Sequence, residues 1–141
     1  MSKSVNIMLK KIDHIGIAVK NLEDSAVFYK ALGMQISHIE KVPEQKVKVG
    51  FISTSETNIE LLEPTDCSSP VAKFIEKKGE GMHHICFKVS DIKTTLTTLK
   101  NQGYRLIDME PKSGAHNTLI AFVHPKSANG VLIELSQDII Q

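Results

Sequence analysis

Two short stretches of the sequence decide the fold: DHIGIAV at Asp13–Val19 and HHICFKV at His83–Val89. They are offset by 70 residues, and in both stretches the apolar residues fall at every second position. This alternation is typical of a β-strand that buries one face. The two stretches therefore predict equivalent strands in two copies of one unit.

The same offset continues through a predicted helix in each copy. Asn21 and Asp91 are residues of the kind that cap a helix N-terminus. Gly33 and Gly103 suit the position just after a helix C-terminus. Between these signals the apolar residues recur with the spacing of a helix that buries one stripe.

Three strand-like runs follow each helix. In the first copy they are Met34–Val42, Lys46–Thr54 and Thr57–Glu63, and in the second they are Tyr104–Glu110, Thr118–His124 and Gly130–Ser136. A short helix is predicted at Val71–Lys78, between the copies.

The predicted fold class is α+β, with two tandem βαβββ modules. The modules span about residues 9–63 and 82–137, joined by a linker at about 64–81, and residues 1–8 form a short polar leader. Each module has few apolar residues of its own, so the two are expected to share one core in a single domain, 9–137.

The composition excludes several function classes. The chain has 141 residues, with 17 Lys and Arg against 16 Asp and Glu, which gives a net charge of +1 and no field for nucleic acid or a membrane surface. Its apolar runs are too short for a membrane span, and the stretch MSKSVNIMLKK has no apolar region of the kind that a signal peptide contains. Two cysteines are too few for a disulfide framework, so a cytoplasmic protein is expected.

Strand parity places four candidate ligands on one face. Ile15 and Ile17 take the buried face of the first strand, so His14 points to the opposite face, and the same register puts His84 there in the second copy. In the final strands Asn58–Glu63 and Leu132–Gln137, Glu60 and Glu134 take that face as well. A histidine or a glutamate alone would be read as an ordinary strand residue, but the matched set in both copies predicts a divalent-metal site.

Cys86 on this face and the remaining histidines are not predicted to bind the metal. Cys86 takes the place of Gly16 and is expected to be a small space-leaving residue. His83 points away from the cleft, so its substitution is expected to matter far less than that of His84. His38 and His124 have no counterparts, and His116, in the loop SGAHNT, borders the predicted cleft with its role open.

These residues resemble the vicinal-oxygen-chelate superfamily, to which glyoxalases, bleomycin-resistance proteins and dioxygenases belong. DHIGIAV, GMHHICFKV, PEQKVKVGFI and HPKSANGVLIEL resemble the methylmalonyl-CoA epimerase family in particular. The resemblance implies that the two modules form a cupped mixed sheet around a metal cleft, with one divalent metal bound by His14, Glu60, His84 and Glu134. It also implies a homodimer that acts on a CoA thioester. It favours Co²⁺, with Zn²⁺, Mn²⁺, Ni²⁺ or Mg²⁺ as alternatives.

For an epimerase, C2 of the substrate must lose a proton and regain it on the other face. Glu134 is the predicted base. Some relatives carry a second glutamate where this chain has Val49, and Glu44 is out of register. Either another residue such as His116 or a water takes the second role, or the chain departs from the pattern of two glutamates. The candidates for the CoA phosphates are Lys46, Lys48, Lys112 and Lys126, which are otherwise read as solvated surface residues.

Three rival interpretations remain open at this stage. A glyoxalase I-type lactoylglutathione lyase would use the same four ligand positions for a related proton abstraction. A metal-free antibiotic-binding protein would share the scaffold, but the matched histidines and glutamates count against it. A structural metal in an inert dimer is the third alternative.

Overall fold

The computed structural model describes residues 9–139, and within them the chain forms eight strands and three α-helices. The first run is β1 (Leu9–Ala18), α1 (Leu22–Ala31), β2 (Ile36–Val42), β3 (Val47–Ile52) and β4 (Asn58–Pro64). Next comes α2 (Pro70–Lys78), and the second run is β5 (Gly81–Val89), α3 (Ile92–Asn101), β6 (Lys112–Gly114), β7 (Thr118–Val123) and β8 (Ile133–Asp138). The predicted α+β class and the order βαβββ, helix, βαβββ are confirmed.

The chain divides into two compact units that do not follow the repeat boundaries. The N-terminal unit is Asp13–Ile85, and the C-terminal unit comprises residues 9–12 and 86–139. In the N-terminal unit the strand order is β2-β3-β4-β1-β5. Strand β1 pairs in parallel with β4, whereas β4 with β3 and β3 with β2 are antiparallel, so the sheet is mixed as predicted.

The helix signals read from the sequence act as predicted in the N-terminal unit. The Asn21 side chain accepts a hydrogen bond from the Asp24 backbone N–H at 2.9 Å, and Glu63 Oε1 on β4 accepts the Leu22 N–H at 2.8 Å. Gly33 follows the helix with φ of +88°, a conformation that favours glycine. The helix packs on one face of the sheet, where the buried core comprises Val19, Leu22, Ile52 and Leu61.

The C-terminal unit repeats this construction. Its strand order is β5-β8-β7-β6, with β8, β7 and β6 antiparallel. Asp91 accepts the Thr94 N–H at 3.1 Å, and Gln137 Oε1 on β8 accepts the Ile92 N–H at 2.7 Å. The core under α3 comprises Val89, Ile92, Leu96, Ala121, Val123 and Leu135.

Two of the predicted strands are misplaced. The segment 104–110 is not a strand: it makes one isolated bridge, Leu106 to Val123, and β6 comes later, at Lys112–Gly114. The reason is irregular pairing, since the N–H groups of Ile107 and Asp108 both donate to the Phe122 carbonyl and the Asp108 carboxylate accepts the Phe122 N–H. The last strand begins at Ile133 rather than Gly130.

The helix α2 begins after Ser69, whose hydroxyl accepts the Val71 N–H at 3.1 Å, with Pro70 in the first turn. Among residues 9–139, the helices are all too short or too polar to cross a bilayer.

Candidate metal centre

The faces of the N-terminal sheet separate apolar packing from polar side chains. Ile17, Ile59 and Leu61 belong to the core under α1. Because side chains alternate along a strand, His14 and Glu60 lie on the opposite face, and Gly16 on β1 is the direct neighbour of Glu60 on β4. His14, Glu60 and His84 are all buried. A buried polar residue needs a polar partner, so their neighbours identify the site.

The histidines predicted from the two repeats meet each other. His14 Nε2 and His84 Nε2 lie 3.0 Å apart, with the rings edge to face at an interplanar angle of 85°. The absence of a side chain at Gly16 makes this possible. A Cβ atom at this position would lie 2.3 Å from His84 Cε1 and 2.6 Å from His84 Nδ1. Gly16 therefore leaves the space that the imidazole of His84 fills.

This spacing fits two nitrogen ligands of one divalent ion. Metal–nitrogen bonds are about 2.1 Å long, so two such ligands at a right angle around the ion lie about 3.0 Å apart. The distance between His14 Nε2 and His84 Nε2 has this value. The donor set of imidazole and carboxylate suits a hard or borderline ion.

Carboxylates surround the other nitrogen of His14. His14 Nδ1 lies 2.8 Å from Asp13 Oδ2 and 3.0 Å from Glu60 Oε2. A protonated Nδ1 that donates to these oxygens leaves Nε2 unprotonated and able to bind a metal. Glu60 thus lies in contact with His14, on the Nδ1 side of the ring.

Glu134 lies on β8 in the C-terminal unit and is also buried. It sits directly opposite Phe122 on β7, as Glu60 sits directly opposite Phe51 on β3. Residues directly opposite in an antiparallel pair share a face, so each glutamate has a phenyl group beside it. Phe51 and Phe122 were not predicted from the sequence, although their equivalent positions in the two repeats were a usable signal.

His83 has contacts that strand parity did not suggest. Its ring packs edge to face on Phe74 of α2, with 5.0 Å between the ring centroids. Yet His83 Nδ1 also lies 3.0 Å from His84 Nδ1. His83 and His84 are therefore in contact with each other, although only His84 also contacts His14 Nε2.

Several other positions named from the sequence have clear places. Val49 is buried and opposite Leu62, on the same face as Glu60. Cys86 is fully buried. His116 lies in the turn between β6 and β7 with φ of +57°, next to Asn117 with the same φ.

Three of the four candidate lysines have partners among the described side chains. Lys46 Nζ donates to Ser68 Oγ at 2.6 Å, Lys48 lies 3.6 Å from Glu63, and Lys112 lies 3.2 Å from Asp108. Lys112 also lies over the ring of Phe122. These contacts explain the three side chains as ordinary surface residues, and their phosphate-binding role stays a prediction.

Comparison with known proteins gives the family. Residues 13–122 match the model of the Glyoxalase/Bleomycin resistance protein/Dioxygenase superfamily. The human mitochondrial methylmalonyl-CoA epimerase is 44% identical over 92% of this chain and 74% of the human protein. The crystal structure of methylmalonyl-CoA epimerase from Mycobacterium tuberculosis superposes with a TM-score of 0.90 at 35% identity, over 98% of this chain and 94% of that one.

A methylmalonyl-CoA epimerase in complex with methylmalonyl-CoA and NH4+ superposes with a TM-score of 0.86 at 38% identity, over 92% of this chain and 95% of that one. The match in sequence and structure extends over nearly the whole chain in each case. The chain therefore belongs to the glyoxalase/bleomycin resistance/dioxygenase superfamily, and its relatives there include methylmalonyl-CoA epimerases.

Proposed function

We propose that this protein is a metal-dependent epimerase that interconverts (2R)- and (2S)-methylmalonyl-CoA. The observation that carries the proposal is the contact between His14 Nε2 and His84 Nε2 at metal-ligand spacing, in a chain whose relatives are epimerases of this substrate. The reaction is an isomerisation, in which a proton leaves C2 and returns to the opposite face.

Four residues would hold the ion: His14, Glu60, His84 and Glu134. His14 contacts His84 through Nε2 and Glu60 through Nδ1 within the N-terminal unit, so Glu60 would have to turn toward Nε2 to bind the ion. Glu134 is assigned through its equivalence to Glu60 in the repeat. A bound divalent ion supplies Lewis-acid stabilisation of the negative charge that develops on the thioester oxygen. The family resemblance favours Co²⁺, with Zn²⁺, Mn²⁺, Ni²⁺ or Mg²⁺ as alternatives.

Glu134 is the proposed base for the proton at C2. Its carboxylate is buried, next to Phe122, where exclusion of water strengthens its interaction with a positioned proton. Val49 cannot exchange protons, so the second transfer in this chain uses His116 or a water molecule. A carboxylate that also binds an ion is a weaker base than a free one, and this limits the rate that Glu134 can support.

The CoA thioester is the proposed partner of the site, in a cytoplasmic homodimer. The resemblance implies the dimer, and the outer side of α1 supports it, because Val27, Phe28 and Leu32 are each at least 59% exposed. Apolar patches of this kind mark contact surfaces. Sedimentation of the purified protein tests the dimer.

The decisive test is isotope exchange at C2. In deuterium oxide, the metal-loaded protein should replace the C2 proton of methylmalonyl-CoA with deuterium and invert the configuration, whereas the chelated protein should do neither. A lactoylglutathione lyase would instead convert the hemithioacetal of glutathione and leave C2 unlabelled. A binding protein would retain no stoichiometric divalent ion, and a structural metal would be present without either reaction.

A further inference from the structure

His83, the residue before the proposed ligand His84, has contacts that the proposed epimerase mechanism does not involve. His83 Nδ1 lies 3.0 Å from His84 Nδ1, on the side of the His84 ring away from the His14 contact. Phe74 of α2 packs edge to face on the His83 ring, with an angle of 75° between the two ring planes. The His83 ring is therefore fixed against its neighbour.

Proton placement follows from which nitrogen binds the ion. A neutral imidazole carries one ring proton, so a His84 that binds through Nε2 carries its proton on Nδ1. That N–H faces His83 Nδ1, which accepts it only when the His83 proton is on Nε2. His83 then acts as the hydrogen-bond acceptor for the ligand histidine.

In the first repeat, a carboxylate contacts the Nδ1 atom of the equivalent histidine. The residue before His14 is Asp13, at the position equivalent to His83, and its Oδ2 lies 2.8 Å from His14 Nδ1. In both repeats the side chain that precedes the histidine contacts the Nδ1 atom of that histidine. Because the same contact occurs in both repeats, we infer that His83 contributes to the site in the way that Asp13 does.

We propose that His83 is a positioning residue, which accepts the Nδ1–H of His84 and so keeps Nε2 free for the divalent ion. This inference rests on the metal site proposed above. Loss of such an acceptor typically weakens metal binding by about 10- to 100-fold.

Two substitutions at this position separate the hydrogen bond from the packing. His83→Phe keeps a ring against Phe74 and removes the acceptor, whereas His83→Asp restores an acceptor of the type that Asp13 provides. His38→Phe is the matched control, because it makes the same change at a histidine on β2 whose side chain is about half exposed, 53%. The readout is Co²⁺ affinity of the chelated, folded protein, measured by calorimetry.

We expect His83→Phe to weaken Co²⁺ binding by about 10- to 100-fold, with His83→Asp and His38→Phe close to the wild type. Equal affinity of His83→Phe and wild type would overturn the proposal, and so would equal loss in the Phe and Asp variants. If the wild type itself binds no Co²⁺, the metal site of the proposed function fails instead.

A measurement on the wild type covers the case in which a variant does not fold. Nitrogen-15 NMR of the Zn²⁺-loaded protein distinguishes the two tautomers of each histidine. The proposal requires a proton on Nδ1 of His84 and on Nε2 of His83. A proton on Nδ1 of His83 would contradict it.

Discussion

The side chains around His14 and His84 differ in charge, although the two histidines occupy equivalent positions in the repeat. At His14, the Nδ1 atom faces the carboxylates of Asp13 and Glu60. At His84, the Nδ1 atom faces a second imidazole, that of His83. The Nε2 atoms nevertheless meet at 3.0 Å. The two repeats thus place their histidines alike, while the side chains that contact the Nδ1 atoms differ between them.

The same divergence is expected between the two glutamates, and it gives the largest predicted effect. Glu134→Gln should slow deuterium exchange at C2 by about 10²- to 10⁴-fold, because it removes the proposed base. Glu60→Gln should retain most of the activity, since the glutamine side chain still offers an oxygen ligand to a divalent ion. Rates of C2 exchange at saturating metal test the pair. Equal losses in the two variants would show that the glutamates have the same role.

Gly16 tests the space around His84, with a smaller expected effect. In Gly16→Ala the added Cβ would lie within 3 Å of three ring atoms of His84, so the ring must move. We expect metal affinity to fall by about 10- to 100-fold, the range for loss of ligand orientation, while the circular dichroism spectrum is retained.

Gly50→Ala is the matched control for that change. Its Cβ would meet Leu22 Cδ2 at 2.6 Å, on the core side of the sheet. It should lower the free energy of unfolding through overpacking and leave metal affinity unchanged. The account of the His84 pocket is wrong if Gly16→Ala and Gly50→Ala have the same profile.

Substitution of the helix caps should have the smallest effects. The two repeats should differ in how the contribution of the cap to the unfolding free energy depends on pH. Hydrogen bonds from the backbone N–H and side chain of Thr94 hold the pKa of Asp91 below its ordinary value of 3.8. The stabilisation by Asp91 is therefore complete above that value and is lost as the pH falls through the lower folded-state pKa. Asn21, its equivalent, does not titrate, and Asn21→Ala should cost about 1 kcal/mol of unfolding free energy at any pH.

Chemical denaturation at a series of pH values measures both caps. The stability difference between wild type and Asp91→Asn should change only in the acid range, whereas that between wild type and Asn21→Ala should stay constant. Parallel curves for the two comparisons would mean that the Asp91 carboxylate does not act as the cap in solution.

Much of this arrangement could be read from the sequence because it depends on periodicity. The alternation in Asp13–Val19 and His83–Val89 fixes which residues of β1 and β5 share a face, and the helix caps follow from short-range chemistry at Asn21 and Asp91. The prediction of a strand at Tyr104–Glu110 was wrong because this segment does not form a regular ladder of backbone hydrogen bonds with β7. The Asp108 side chain takes the Phe122 N–H instead.

Contacts that depend on side-chain rotamers were outside the reach of the pattern. Parity places His83 and His84 on opposite faces, yet an imidazole is long enough for its Nδ1 to reach that of its neighbour. The position of Glu60 beside His14 Nδ1 rather than Nε2 is a rotamer choice as well. The sequence predicted that His14, Glu60 and His84 lie on equivalent strands and share a face, but which of their atoms meet is seen only in the structure.

The most direct test of the central claim is to count the histidine nitrogens bound to one ion. Electron spin echo spectroscopy of the protein loaded with one Mn²⁺ detects each coordinated imidazole. The account predicts two in the wild type, and one in each of His14→Gln and His84→Gln. A single coordinated imidazole in the wild type, or an unchanged count in either variant, would contradict a shared site for the two repeats.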